Sequence, residues 1–160
     1  MTIKPAPADT GIRFRRTDLG EDAYVDALAE NVSNTARSTT ISNGKASVST
    51  IEHIMSALTG MGVDNALIDI DNVEVPILDG SAKPYIEAIW KDGFEQQEAP
   101  RRYIEIKETI EIRNDEKGSV VRIEPAEEFS YEIKIDFNSR VLGVQTANWD
   151  GSISYPEEIG

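Results

Sequence analysis

Cysteine is absent from the 160 residues, and histidine occurs once, at position 53. Without a thiol there is no disulfide framework, no redox pair and no thiolate metal site, so any transition-metal centre must draw on His53 and carboxylates. One imidazole cannot fill a zinc site, which takes three protein ligands even in its open, catalytic form. Positive charge is scarce too: 16 lysines and arginines face 29 aspartates and glutamates, a formal net charge of −13. Such a surface repels phosphate backbones and anionic headgroups, which argues against generic nucleic-acid or membrane-surface binding. No apolar run approaches the ~20 residues of a membrane span, and the polar Met1-to-Asp9 opening lacks a signal-peptide core. The chain reads as cytoplasmic, with no integral membrane segment. What is present, 39% hydrophobic and 28% charged residues, is ordinary for a globular protein.

The first half alternates strand and helix signals. After a Pro-rich lead, Ile12-Arg13-Phe14-Arg15-Arg16 suits a short strand, whose arginines fit either a solvated face or an anion site. Thr35 to Ile41 and Lys45 to Val48 flank Ser42-Asn43-Gly44, and Asn-Gly between β-formers marks a hairpin. The next segment, Ser49-Thr50-Ile51-Glu52-His53-Ile54-Met55-Ser56-Ala57-Leu58, has Ile51, Ile54, Met55 and Leu58 at the spacing of a core-facing helical stripe. At about 100° per residue, Glu52 lies on the flank of that stripe and His53 roughly opposite it. Two readings of Glu52 stand side by side. Ser49-x-x-Glu52 is a capping-box pattern, and a glutamate beside a histidine is also an acid–base or metal-binding pair. For His53 the plain alternative is a surface imidazole.

Gly60-Met61-Gly62 ends the helix, and Val63 to Asp71 reads as a strand in which Ala66, Ile68 and Ile70 alternate with Leu67, Asp69 and Asp71. In Val75-Pro76-Ile77-Leu78-Asp79-Gly80-Ser81 the periodicity breaks. Asp79-Gly80 turns the chain and Ser81 can cap a second helix carrying Tyr85, Ile86, Ile89 and Trp90, which gives Asp79 a default turn-and-cap duty. The polar stretch to Pro100 then reads as a linker at 95–100, separating a first domain at 1–94 from a partial second one at 101–160. There Ile104, Ile106, Ile110 and Ile112 alternate with polar residues as a strand, Asn114 to Gly118 turns it into a second through Ile123, and Tyr131 to Phe137 makes a third. Beyond Asn138 turn residues dominate, and no helix arrives to cover a three-stranded sheet. The fold expected is α+β: a two-layer helix-on-sheet domain followed by strands of an incomplete, similar one, as if cut short at Gly160.

Three stretches, Ser49 to Leu58, Gly62-Val63-Asp64-Asn65, and Val75 to Ala82, together resemble the UDP-3-O-acyl-N-acetylglucosamine deacetylases. Ile106-Lys107-Glu108-Thr109-Ile110 and Ile135-Asp136-Phe137-Asn138 agree in order and spacing, so the likeness runs from about Pro5 to about Asn138. The resemblance implies a zinc-dependent hydrolase of lipid A biosynthesis that removes acetate from a UDP-linked 3-O-acyl glucosamine. It also implies two similar α+β domains with the active site between them. His53 matches the family's first zinc ligand, Glu52 its general base, and Asp79 an acid that orients catalytic groups. Asp136 and Phe137 match the uridine-contacting region, and Lys117 a basic residue near the diphosphate.

The departures are as definite. The family's remaining zinc ligands come from a later His-Lys-x-x-Asp segment, and its general-acid histidine follows; with His53 alone in this chain neither has a counterpart. Nor has the family's opening glycine-rich segment. The chain by itself is therefore expected to be inactive, to hold no Zn2+ tightly, and to need the remainder of its own second domain as a partner. The rival reading is a non-catalytic nucleotide-sugar binding or assembly module in which Glu52 merely caps a helix.

Overall fold

A computed structural model describes residues 1–158 and divides the chain into two compact units, Met1–Ala99 with the segment from Tyr155 onward, and Pro100–Ser154. In the first unit the strands are β1 (Thr2–Pro5), β2 (Ile12–Arg16), β3 (Tyr24–Asp26), β4 (Val32–Asn34), β5 (Thr40–Ser42), β6 (Ser47–Val48) and β7 (Ala66–Ile70). Its helices are α1 (Glu52–Gly60), α2 (Lys83–Asp92) and the short α3 (Tyr155–Glu158). The protein is α+β, as its sequence pattern indicates.

Four strands form the main sheet in the order β1-β7-β2-β3, with β7 antiparallel to β1 and parallel to β2. Register explains the core. Val25 lies opposite Phe14, Phe14 opposite Ile68, and Ile68 opposite Ile3, so one row of apolar side chains crosses the sheet on a single face. Phe14 and Ile68 are wholly buried in one cluster with Ile54, Ala57 and Leu58 of α1, Tyr85, Ile86 and Ile89 of α2, and Ile41 and Val48 of the three-stranded sheet β4-β5-β6. Trp90, assigned to the apolar face of the second helix by its spacing, is 68% exposed.

The Pro-rich lead contains a strand: Thr2–Pro5 pairs with Asp69–Ala66 at the edge of the sheet. On the face of the sheet away from the core, Arg13 pairs with Asp26, and Arg15 meets Asp69 through two hydrogen bonds. Lys4 bonds the same carboxylate, while Arg16 holds Asp18 and the carbonyl of Ser47. Each of the three arginines thus has a carboxylate partner, against the anion-site reading, and the buried Arg16 corrects the expectation of a solvated face. The Arg15 guanidinium, aided by Lys4 and opposed by burial, holds the Asp69 carboxyl below its ordinary value of 3.8. A depressed carboxylate stabilises the fold fully above its unfolded-state value and loses that contribution as pH falls from 3.8 through the folded-state value. Asp69→Asn is accordingly expected to lower stability by about 1 kcal/mol at neutral pH, and to flatten the acid limb of a urea-midpoint profile measured below pH 4.

The end of α1 is set by two glycines. Gly62, at φ +72°, closes a Schellman motif in which its own amide bonds Thr59 O and that of Val63 bonds Leu58 O. Gly60 lies against the ring of Tyr155, where a Cβ would overlap it, and the Tyr155 hydroxyl hydrogen-bonds Ser56.

The second unit holds two separate hairpins, β8 (Ile110–Asn114) with β9 (Ser119–Ile123) and β10 (Tyr131–Asp136) with β11 (Val144–Trp149). This corrects three expectations. Ile104 and Ile106 lie outside any strand, the stretch beyond Asn138 contains β11 and α3, and the strands do not join into one three-stranded sheet. None of the residues from Pro100 to Ser154 is buried, although Phe129, Tyr131 and Trp149 pack ring against ring.

Candidate active site

The chain enters α1 through a tightly held corner. Ser49 donates its amide to Val73 O at 2.8 Å and accepts that of Val75 at 3.0 Å, a parallel bridge that lays segment 73–75 beside the helix start. Thr50 follows at φ +60°, buried, its hydroxyl donating to Glu74 Oε1 at 2.8 Å. Ile51 then caps the helix with no side-chain hydrogen bond. The capping box expected from Ser49 and Glu52 is not formed. The turn at Thr50 separates the two residues, the Ser49 hydroxyl lies 3.4 Å from Val73 O, and the Glu52 carboxylate binds elsewhere.

Its partner is Thr39, whose amide donates to Glu52 Oε2 at 2.9 Å while the Thr39 carbonyl accepts the amide of Ile51 at 3.4 Å. One carboxylate oxygen is thereby pinned to the residue before β5. Its other oxygen has no hydrogen-bond partner among the described residues. His53 stands next on the helix, half-buried, while Ile54, Ala57 and Leu58 take the core. Among the described residues the imidazole has neither a hydrogen bond nor an ion pair. A half-anchored carboxylate next to an unengaged imidazole can accept a proton at one atom and offer a lone pair at another.

Asp79 lies in the exposed turn before α2. Its Oδ1 accepts the Ser81 amide at 3.0 Å and the Ser81 hydroxyl at 2.8 Å, and Ser81 Oγ accepts the Lys83 amide at 3.2 Å. The Ser81 amide, more than its hydroxyl, keeps the Asp79 carboxyl below the usual carboxylate range. These bonds are the turn duty its position predicts; the capping expected of Ser81 is not formed, since Ala82 caps α2 with no side-chain hydrogen bond. The same loop is fastened to α2 where the buried Tyr85 hydroxyl bonds Pro76 O, and to the α1 entrance through residues 73–75.

The remaining candidates lie in the second unit, on different hairpins. Lys117 is exposed in the β8–β9 turn, its amide bonded to Asn114 Oδ1. Asp136 ends β10, accepting the Asn138 amide at 2.9 Å, and the Phe137 ring beside it is 43% exposed. Sequence reasoning missed Thr39, Thr50 and Glu74. Thr50 was legible only as part of the motif, and nothing local pointed to Thr39 or Glu74.

The fold and site define an α+β protein that presents an acid–imidazole pair at a helix entrance fixed from two sides. Residues 1–160 match the family model described as UDP-3-O-acyl N-acetylglycosamine deacetylase (LpxC), and the chain belongs to that family. It is 43% identical over 99% of its length to the UDP-3-O-acyl-N-acetylglucosamine deacetylase of Thioalkalivibrio sulfidiphilus and 41% identical to that of Methylococcus capsulatus, covering 53% of each. Against a bifunctional LpxC/FabZ enzyme of Porphyromonas gingivalis it is also 43% identical, over 34% of that protein. The chain thus spans about half the length of its single-function relatives.

Proposed function

We propose that the protein containing these residues is a zinc-dependent amidohydrolase that releases acetate from UDP-linked 3-O-acyl-N-acetylglucosamine in lipid A biosynthesis, in the cytoplasm. The observation that carries the reading is the Glu52–His53 pair, with one Glu52 oxygen pinned by Thr39 and the imidazole unengaged among the described residues, in a chain whose residues 1–160 match the family model. Glu52 is the general base. Its unpartnered oxygen takes a proton from water as the water oxygen adds to the acetamide carbonyl carbon, and the general-acid histidine that the resemblance implies, with no counterpart in this chain, protonates the amine as the C–N bond breaks. The Thr39 amide keeps the carboxylate from rotating away from that task. Asp79 acts at a distance, by fixing the turn that leads into α2.

His53 is assigned as one zinc ligand. Among the described residues no group of three or more His, Cys, Asp or Glu side chains is placed to hold a metal ion. These residues alone do not complete a zinc site. Lys117 is assigned to the diphosphate as a point charge, and Asp136 and Phe137 to the uridine, the half-exposed ring being suited to stack on a base. The negative charge of the chain makes such a local cation the more necessary for an anionic substrate.

The test of the metal assignment is His53→Ala in the full-length protein. Zinc retained after dialysis, measured by plasma mass spectrometry, is expected to fall by at least about tenfold, because losing even an outer-shell partner weakens metal sites about 10–100-fold. Undiminished zinc would remove His53 from the ligand set.

A further inference from the structure

Among the described residues five non-glycine positions have positive φ, namely Asp9, Arg37, Thr50, Leu78 and Asn138. Thr50 alone among them is buried, at 5% exposure, and alone is β-branched. A branched Cβ is poorly tolerated in the left-handed region, whereas Asn and Asp visit it readily. Such a conformation persists only where the surroundings over-determine it, and it gathers at functional sites. Here the determinants are on both sides. Ser49 is bridged to Val73 and Val75, Ile51 is bonded to Thr39, and the Thr50 hydroxyl is held at 2.8 Å by Glu74, the neighbour of the fully buried Val75.

From this geometry we propose that Thr50 is a positioning residue: the Thr50–Glu74 hydrogen bond locks the backbone corner that aims the first turn of α1, and with it Glu52 and His53. The inference rests on the reading of those two as the working pair. A relaxed φ at Thr50 swings the helix start, and the Glu52 carboxylate leaves the Thr39 amide as the imidazole moves with it. The helix has no side-chain cap of its own to resist this.

Four variants separate positioning from bulk stability. Thr50→Gly admits the left-handed backbone without strain but removes the hydroxyl, and Glu74→Ala removes the acceptor at an exposed position without altering residue 50. Thr50→Ser keeps the donor and Glu74→Gln keeps an acceptor. In the full-length protein, Thr50→Gly and Glu74→Ala are expected to lower kcat about 10- to 100-fold, the scale of a misplacement near 1 Å, with KM and the unfolding midpoint little changed. Thr50→Ser and Glu74→Gln are expected to restore most of it. In the 160-residue chain His53 is the sole histidine, so its imidazole resonances report orientation directly. They are expected to shift or double in Thr50→Gly and Glu74→Ala and to return in the conservative variants. Unchanged resonances and wild-type kcat in both disruptive variants would overturn the proposal. If the unmodified full-length protein releases no acetate, the proposed function fails, and the imidazole spectra alone then decide whether Thr50 aims the pair.

Discussion

Glu52→Gln in the full-length protein is expected to lower turnover about 10²–10⁴-fold, the share that a positioned general base supplies, while zinc content and unfolding midpoint stay at wild-type values. The substitution is chosen for what it preserves. Glutamine has the same shape and still offers a carbonyl oxygen to the Thr39 amide now bonded to Glu52 Oε2 at 2.9 Å. Only the capacity to accept a proton is lost. If Glu52 served solely to tie the helix start to Thr39, the variant would keep its activity, and retained turnover would remove Glu52 from the chemistry. Acetate release at saturating substrate, with metal measured on the same sample, reads both halves of the expectation.

The largest effect on stability is expected at Phe14. Its ring is fully buried between Val25 and Ile68 in the sheet register and shares the cluster with Ile54 and Leu58 of α1. Phe14→Ala removes the buried ring and leaves a cavity, a change that costs about 3–5 kcal/mol. Domains are stable by only about 5–15 kcal/mol, so much of the first unit's margin is spent in one substitution. Phe14→Leu, which retains most of the apolar volume, is expected to lose far less. Urea titration followed by far-ultraviolet circular dichroism distinguishes the two, and a loss below about 1 kcal/mol for Phe14→Ala would place the ring outside a tightly packed core.

What could be read from the sequence was what local pattern controls. The stripe of α1, the hairpin around Asn43-Gly44 and the alternation of Ala66, Ile68 and Ile70 each follow from periodicity or turn chemistry within a few residues. The misreadings share a cause in distant partners. Thr2–Pro5, with Lys4 and Pro5 against Thr2 and Ile3, carries no clear strand signal and becomes a strand because Ala66–Asp69 pairs with it. Ile104 and Ile106 continue the alternation of β8 but have no strand opposite, since Ile110 already meets Ile123, the last residue of β9. Val144–Trp149 is half polar and forms β11 through its pairing with Tyr131–Asp136.

The candidate site divides the same way. Glu52 and His53 stand out in the motif, and Asp79 keeps the turn its Asp-Gly neighbourhood foretells. The capping box failed because Ser49-x-x-Glu52 is a local signature, whereas the actual partners, Thr39 and Glu74, lie 13 and 24 residues from Glu52 and Thr50. The strain at Thr50 was invisible for the same reason: no residue type marks a left-handed threonine that its neighbours enforce.

The most direct measurement is acetate release from UDP-3-O-acyl-N-acetylglucosamine by the full-length protein, before and after zinc is removed by chelation and added back. One acetate per substrate, lost with the metal and regained with it, is the predicted result. Tight UDP binding with no acetate under any metal condition would contradict the hydrolase reading and leave a nucleotide-sugar binding module in its place.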